Sequence, residues 1–196
     1  SLVNADEIAG DIAVIVKELL DLGIEGLQIL IVDDNSPDGT GQIADDLAVK
    51  YPDRVKVLHR AGKMGLGSAY LTGFAEALAA GADYIFEMDA DFSHSPQYIP
   101  LFLEKCREYD VVVGSRYVSG GAIDSRWSIW RRLVSSLGNI YATLITGLKV
   151  RDATAGFKCF RRSVLAGLDL SRVRSDGYAF QIEMAYACQK AGARVL

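Results

Sequence analysis

Histidine, cysteine and proline are scarce in this chain of 196 residues: two, three and four of each. With only His59 and His94, and with scattered cysteines, there is almost no material for a structural zinc site or a histidine-based nucleophilic triad. Cys106, Cys159 and Cys188 are an odd number without paired spacing, which argues against a disulfide framework and for a reducing compartment. Four prolines exclude a proline-rich linker protein, and 23% charged with 9% aromatic residues argues against disorder. No apolar run is long enough to span a bilayer, and no basic region followed by an apolar stretch opens the chain. The patterns G-x-x-x-x-G-K-S/T and G-x-S-x-G are missing, so an ordinary P-loop and a nucleophile elbow are excluded. Gly65-Leu66-Gly67-Ser68-Ala69-Tyr70 lacks the third glycine of a dinucleotide fingerprint and follows no clear strand.

What is present suffices for a folded α/β domain. A chain of this length buries roughly 70% of its unfolded surface, and half of these residues are hydrophobic. Continuous apolar runs predict strands over residues 27–32, 55–58, 84–88 and 111–113. Helical patterns cover residues 8–22, 41–51, 67–80 and 96–109. Strands without polar alternation, separated by amphipathic helices, predict a mostly parallel sheet flanked by helices. Past residue 116 that rhythm is lost. A long amphipathic helix is expected at about 128–148, a short strand at 157–160 and a last helix at 180–191. With no internal repeat and no linker, residues 1–196 read as a single domain. Both ends read as cut: residues 194–196 start an apolar run, and a helical pattern begins at Asp6.

Charge is unevenly placed. Residues 1–115 hold 20 acidic and 8 basic residues, net −12, while residues 116–162 hold 9 basic and 2 acidic, net +7. A charge run is ordinarily a solvated surface. Here Arg116, Arg126, Arg131 and Arg132 are interleaved with Trp127, Ile129, Trp130, Leu133 and Val134, the composition of a segment at a lipid headgroup boundary. An anionic membrane surface is the expected partner, with Arg131 and Arg132 meeting phosphates. The alternative is that both tryptophans pack into the core. No nucleic-acid partner is expected, because the acidic first half repels a polyanion.

In an open parallel sheet, ligands bind outside the carboxyl ends of the strands. Three strands end in polar clusters: Asp33-Asp34-Asn35-Ser36, Asp89-Ala90-Asp91 and Ser115-Arg116. The first precedes Pro37-Asp38-Gly39-Thr40, a turn that can cap the next helix through Asp38 or Thr40, and alone it is a plain βα turn. Asp89 and Asp91 can converge on one hard cation, Mg²⁺ or Mn²⁺, which keeps waters and bridges substrate phosphates. A lone D-x-D is common by chance, but its place at a strand end adds weight. His94 is expected in a turn rather than as a ligand, and His59 at a strand end.

In order along the chain stand Val32-Asp33-Asp34-Asn35-Ser36-Pro37-Asp38-Gly39-Thr40, the Gly65 to Tyr70 string, and Met88-Asp89-Ala90-Asp91-Phe92-Ser93-His94-Ser95-Pro96. Gly114-Ser115-Arg116-Tyr117, Asp152-Ala153-Thr154-Ala155-Gly156-Phe157 and Gly177-Tyr178-Ala179-Phe180-Gln181-Ile182-Glu183 follow. As a set, from about residue 27 to the end, they resemble the polyprenol (dolichol) phosphate mannose synthases of glycosyltransferase family 2, which have the GT-A fold. Against that family, a first strand with P-T-Y-N-E and a C-terminal loop with an Arg and a Lys are lacking.

The resemblance implies a metal-dependent, inverting transfer of mannose from GDP-mannose to a polyprenyl (dolichyl) monophosphate, at the cytoplasmic face of a membrane. It implies Val32 and Asp34 at the nucleoside, Asp89, Ala90 and Asp91 at metal and diphosphate, and Arg116 on a phosphate. Arg116 suits that role because a guanidinium makes charge-assisted bonds to phosphate oxygens. A phosphate acceptor with second pKa near ~6 is largely dianionic at neutral pH and needs no strong base. Asp152 and Glu183 are therefore expected to position the acceptor, with Glu183 alternatively a helix-surface charge. A UDP-glucose-dependent glucosyltransferase and a catalytically silent sugar-nucleotide-binding or membrane-surface module are the alternatives. The Asn35 to Thr40 string and Ser93-His94 sit closer to the mannose branch.

Overall fold

The computed structural model describes residues 5–115, 147–148 and 152–196, with side chains from residue 11 onward. These fall into two compact units, residues 1–77 with 89–100 and residues 78–88 with 101–196, between which the chain passes three times.

In the first unit, helix α1 (Ala5–Asp21) buries Ile12, Ile15, Val16 and Leu19, the spacing of one helical face. Strands β1 (Ile29–Asp33) and β2 (Val55–His59) pair in parallel, with Ile29 opposite Val55 and Asp33 opposite His59. Helix α2 (Thr40–Lys50) connects them. Ile12, Val16, Ile31, Ala44, Leu47 and Val55 form the core between α1, α2 and the strands. The 37–40 turn leads into α2, but neither Asp38 nor Thr40 is the cap expected from the sequence: the N-cap is Gly39, without a side-chain cap bond, and Asp38 Oδ1 accepts from Thr40 N–H at 3.0 Å within the turn. Gly39 turns the chain there at φ 87°, a conformation costly for any residue with a Cβ. Helix α3 (Leu66–Ala79) follows, and after residue 89 a turn of 3₁₀ helix (Pro96–Tyr98) packs beside α1.

The second unit holds β3 (Tyr84–Glu87), most of α4 (Ile99–Lys105), β4 (Val111–Val113), β5 (Lys158–Arg161), α5 (Arg162–Gly167) and α6 (Gly177–Lys190). Its strand order is β3-β5-β4, with β5 antiparallel to both neighbours. Residues 194–196 run beside β4 in parallel, Val113 N–H reaching Leu196 O at 3.0 Å. Apolar runs alone carry no strand direction, since burial on both faces looks alike in either orientation. Lys158, Cys159 and Phe160 are all buried, and β5 takes the central, antiparallel place. A row of rings, Phe86, Phe102 and Phe157, has centroids 5.8 and 4.6 Å apart. The three cysteines are buried free thiols, with Cys106 Sγ donating to Cys159 Sγ at 3.4 Å. No helix among the described residues is long and apolar enough to cross a membrane. The helix expected at about 128–148 lies outside the described residues except for Gly147 and Leu148.

Candidate functional site

At the carboxyl end of β1 the two adjacent aspartates have opposite fates, because side chains alternate along a strand. Asp33 is buried and accepts from Ser36 N–H at 3.2 Å and from the His59 ring at 3.0 Å. Burial pushes its carboxyl up, but the bonds from His59 and Ser36 outweigh this and hold it below the usual carboxylate range. Asp34 is half-buried and receives a two-pronged contact from Arg60: Nε to Oδ1 at 2.5 Å, Nη2 to Oδ2 at 2.7 Å. Val32 is half-buried in β1. In the connection between β1 and α2, Asn35 sits at φ 58°.

The loop that follows residue 88 belongs to the same unit. Asp89 is half-buried, its Oδ1 accepting from the Tyr70 hydroxyl and its N–H donating to His94 Nδ1 at 3.0 Å. Ala90 and Asp91 are exposed, and Asp91 Oδ1 accepts from Ser93 N–H at 3.0 Å. Phe92 is exposed at φ 58°, left-handed backbone that a bulky residue adopts only at a cost. Such strain concentrates at ligand-binding turns. His94 is thus a turn residue that orders Asp89, as its sequence context implies.

The first turns of α3 join the two acidic loops. Arg60 Nη1 donates to Ser68 Oγ at 2.7 Å, and two residues on, Tyr70 reaches Asp89. The Gly65 to Tyr70 string, which fits no dinucleotide fingerprint, therefore has another use: it carries Tyr70 to the Asp89 loop and Ser68 to Arg60, which in turn holds Asp34. Asp89 and Asp91 each keep Oδ2 outside the bonds above. No three His, Cys, Asp or Glu side chains gather as a metal site among the described residues. Two carboxylate oxygens suit a hard cation whose remaining shell is water and phosphate.

In the second unit, Asp152 is buried, its Oδ1 accepting from Thr154 N–H at 3.2 Å and Thr154 Oγ1 at 2.9 Å. Glu183, on α6, is no plain surface charge: its Oε2 accepts from Arg174 N–H at 3.1 Å and Ser175 N–H at 2.8 Å. Burial raises its pKa, but the Ser175 and Arg174 bonds prevail and lower it. A carboxylate so held ionised anchors a loop better than it collects a proton. Arg116, Arg131 and Arg132 lie outside the described residues.

A family model described as glycosyl transferase family 2 matches residues 4–168. The chain belongs to glycosyl transferase family 2. This family 2 chain is 48% identical over 162 residues to the polyprenol monophosphomannose synthase of Mycolicibacterium smegmatis, covering 82% of the chain and 60% of that protein. It is 44% identical over 168 residues to the undecaprenyl-phosphate mannosyltransferase of Micrococcus luteus, covering 86% of the chain and 68% of that protein. The chain thus spans about three fifths of the first relative's length. Among solved structures, glucosyl-3-phosphoglycerate synthase from Mycobacterium tuberculosis, crystallised with phosphoglyceric acid, matches with a TM-score of 0.58 at 19% identity. That match covers 89% of this chain and 58% of the other. A mycobacterial protein matches with a TM-score of 0.59 at 17% identity, covering 90% and 56%. These likenesses bear on fold, which is the α/β fold of GT-A type.

Arg60 escapes a reading of the family 2 sequence, although it follows the carboxyl end of β2, where the strand-end rule that singles out Asp34 and Asp89 applies equally. His59, expected at a strand end, stands at the end of β2.

Proposed function

We propose that this domain transfers mannose from GDP-mannose to a polyprenyl monophosphate at a membrane surface. The observation that carries the reading is the pair of ordered acidic loops, Asp34 held by Arg60 and Asp89 held by Tyr70, in a chain 48% identical to a polyprenol monophosphomannose synthase. Asp34 and Val32 face the nucleoside, Asp89, Ala90 and Asp91 the diphosphate, and Asp89 and Asp91 would hold Mg²⁺ or Mn²⁺. A bound cation would offset charge on the departing nucleoside diphosphate. Tyr70 and His94 keep Asp89 oriented, so little reorganisation is left for donor binding. The acceptor phosphate attacks the anomeric carbon in one displacement, with inversion, and needs no strong base at neutral pH. Arg116 meets a phosphate of donor or acceptor, and Asp152 positions the acceptor. A lipid acceptor keeps its tail in the bilayer, so the domain works peripherally on, or tethered to, the cytoplasmic face.

Calorimetry with GDP-mannose and UDP-glucose, with and without Mn²⁺, tests the donor. Metal-dependent heat with GDP-mannose alone is expected, and heat with UDP-glucose alone would make the enzyme a glucosyltransferase. Asp91→Asn should melt like the parent yet lose metal-dependent donor binding, with transfer falling on the order of 100-fold, because such charge stabilisation is worth several kcal/mol. Transfer at the parent rate would overturn the metal assignment.

A further inference from the structure

Lys158, at the head of β5, is 1% exposed. Its ammonium spends three donors on three acceptors: Glu87 Oε1 at 2.8 Å, the Ala155 carbonyl at 2.6 Å and Gln181 Oε1. Stability alone gives little reason for such an ion pair, since buried pairs replaced by apolar side chains of similar volume are often as stable or more so. What distinguishes this one is where its partners stand in the chain. Glu87 ends β3, two residues before Asp89. Ala155 lies in the turn that starts at Asp152. Gln181 is on α6, two residues before Glu183. One cation therefore ties the end of β3 to the stems of the two segments of this unit that bear the candidate site carboxylates Asp152 and Glu183.

We propose that Lys158 is a positioning residue for the acceptor side of the transfer reaction: by holding the Ala155 carbonyl against Glu87 and Gln181, it fixes the 152–156 turn and with it Asp152. This rests on the transferase reading above. Within the turn, Asp152 Oδ1 accepts from the Thr154 amide and hydroxyl, so the carboxylate is locked to its own turn, and the turn is locked to the core through Lys158. The donor-side groups Asp34, Arg60, Asp89 and Asp91 belong to the other unit and make none of these bonds.

The test uses the intact protein. Lys158→Met alone leaves the Glu87 carboxylate buried opposite a thioether and is expected to lower the melting temperature sharply. Lys158→Met with Glu87→Met removes both charges and is expected to melt close to the parent. In that double variant, GDP-mannose affinity by calorimetry should match the parent. Transfer to polyprenyl phosphate should fall on the order of 100-fold, the scale of a misplacement of about 1 Å, and amides 153–156 should exchange hydrogen faster. Parent turnover and parent exchange in the folded double variant would reduce Lys158 to a counter-ion and overturn the proposal. So would a double variant that stays as unstable as the single one, or one that loses donor affinity in step with transfer. If the parent transfers neither sugar, the transferase reading falls by itself, and the exchange of amides 153–156 still decides whether Lys158 holds the turn.

Discussion

At the scale of single residues, the decisive pair is Asp33 and Asp34, adjacent in sequence and divided by the pleat of β1. Asp33 spends its carboxylate on structure, against Ser36 N–H and His59, while Asp34 stays half-buried at the strand end with Arg60. His59 bridges two acids, with Nδ1 against Asp33 at 3.0 Å and Nε2 against Asp45 at 2.9 Å. Its bonds to Asp45 and then Asp33 raise its pKa above the ordinary 6.5. A raised folded value means the pair stabilises fully below 6.5 and that this stability is lost as pH rises through the folded value. Asp33 runs the other way: its folded value lies below 3.8, so its contribution is present above 3.8 and lost as pH falls through the folded value. The His59 contribution should therefore fade as pH rises through its folded value, above 6.5, and the Asp33 contribution as pH falls through its own, below 3.8. His59→Asn should flatten the alkaline decline while leaving the acid limb in place. Melting curves from about pH 2 to 9, a window that spans both limbs, read this directly, and an alkaline slope unchanged by the substitution would uncouple His59 from folding.

At the scale of elements, the first turn of α2 is built around the same carboxylate. A Cβ on Gly41 would stand 2.9 Å from Asp33 Oδ2 and 3.4 Å from His59 Cε1. Gly41→Ala improves helix propensity by up to about 1 kcal/mol, yet forces a buried, bonded carboxylate to move, an overpacking cost of about 1–3 kcal/mol. The clash should win, so the variant should melt below the parent, and a higher melting temperature would show that Asp33 yields freely. Much of this architecture was legible in the sequence. The apolar runs at 27–32, 55–58, 84–88 and 111–113 all became strands, because a strand covered on both faces has no polar alternation to hide it. The direction of β5 was not legible, since its pairing is settled by residues far away in sequence, from Val113 opposite Lys158 to Tyr84 opposite Arg161. The acidic strand ends were legible by chemistry, whereas Arg60 and Lys158 were not. A single cation beside or inside a strand looks like surface until its buried partners, Asp34 for one and Glu87 for the other, are seen across the fold.

At the scale of the whole molecule, the charge division remains: net −12 over residues 1–115 and +7 over residues 116–162. The first segment includes Asp34, Asp89 and Asp91, the second Arg116, Arg131 and Arg132, which lie outside the described residues. A lipid-phosphate acceptor requires the active-site mouth to approach headgroups, and a basic segment bearing Trp127 and Trp130 has the chemistry to dock there. Each basic residue near an anionic leaflet contributes on the order of 1 kcal/mol, screened by salt, so the excess can overcome repulsion of the acidic half only if the domain is oriented. Trp127 and Trp130 also lie outside the described residues, and tryptophan is a side chain enriched at membrane interfaces. The intact protein should therefore co-sediment with vesicles containing anionic lipid and less with neutral ones. Binding should weaken at high salt and when Arg131 and Arg132 are both changed to Glu. Trp127→Ala with Trp130→Ala should weaken binding to anionic vesicles even at low salt, which separates interfacial insertion from simple charge attraction. Absence of binding at every salt concentration, with both tryptophans shielded from a water-soluble quencher, would instead put the two rings in the core and leave the arginines solvated.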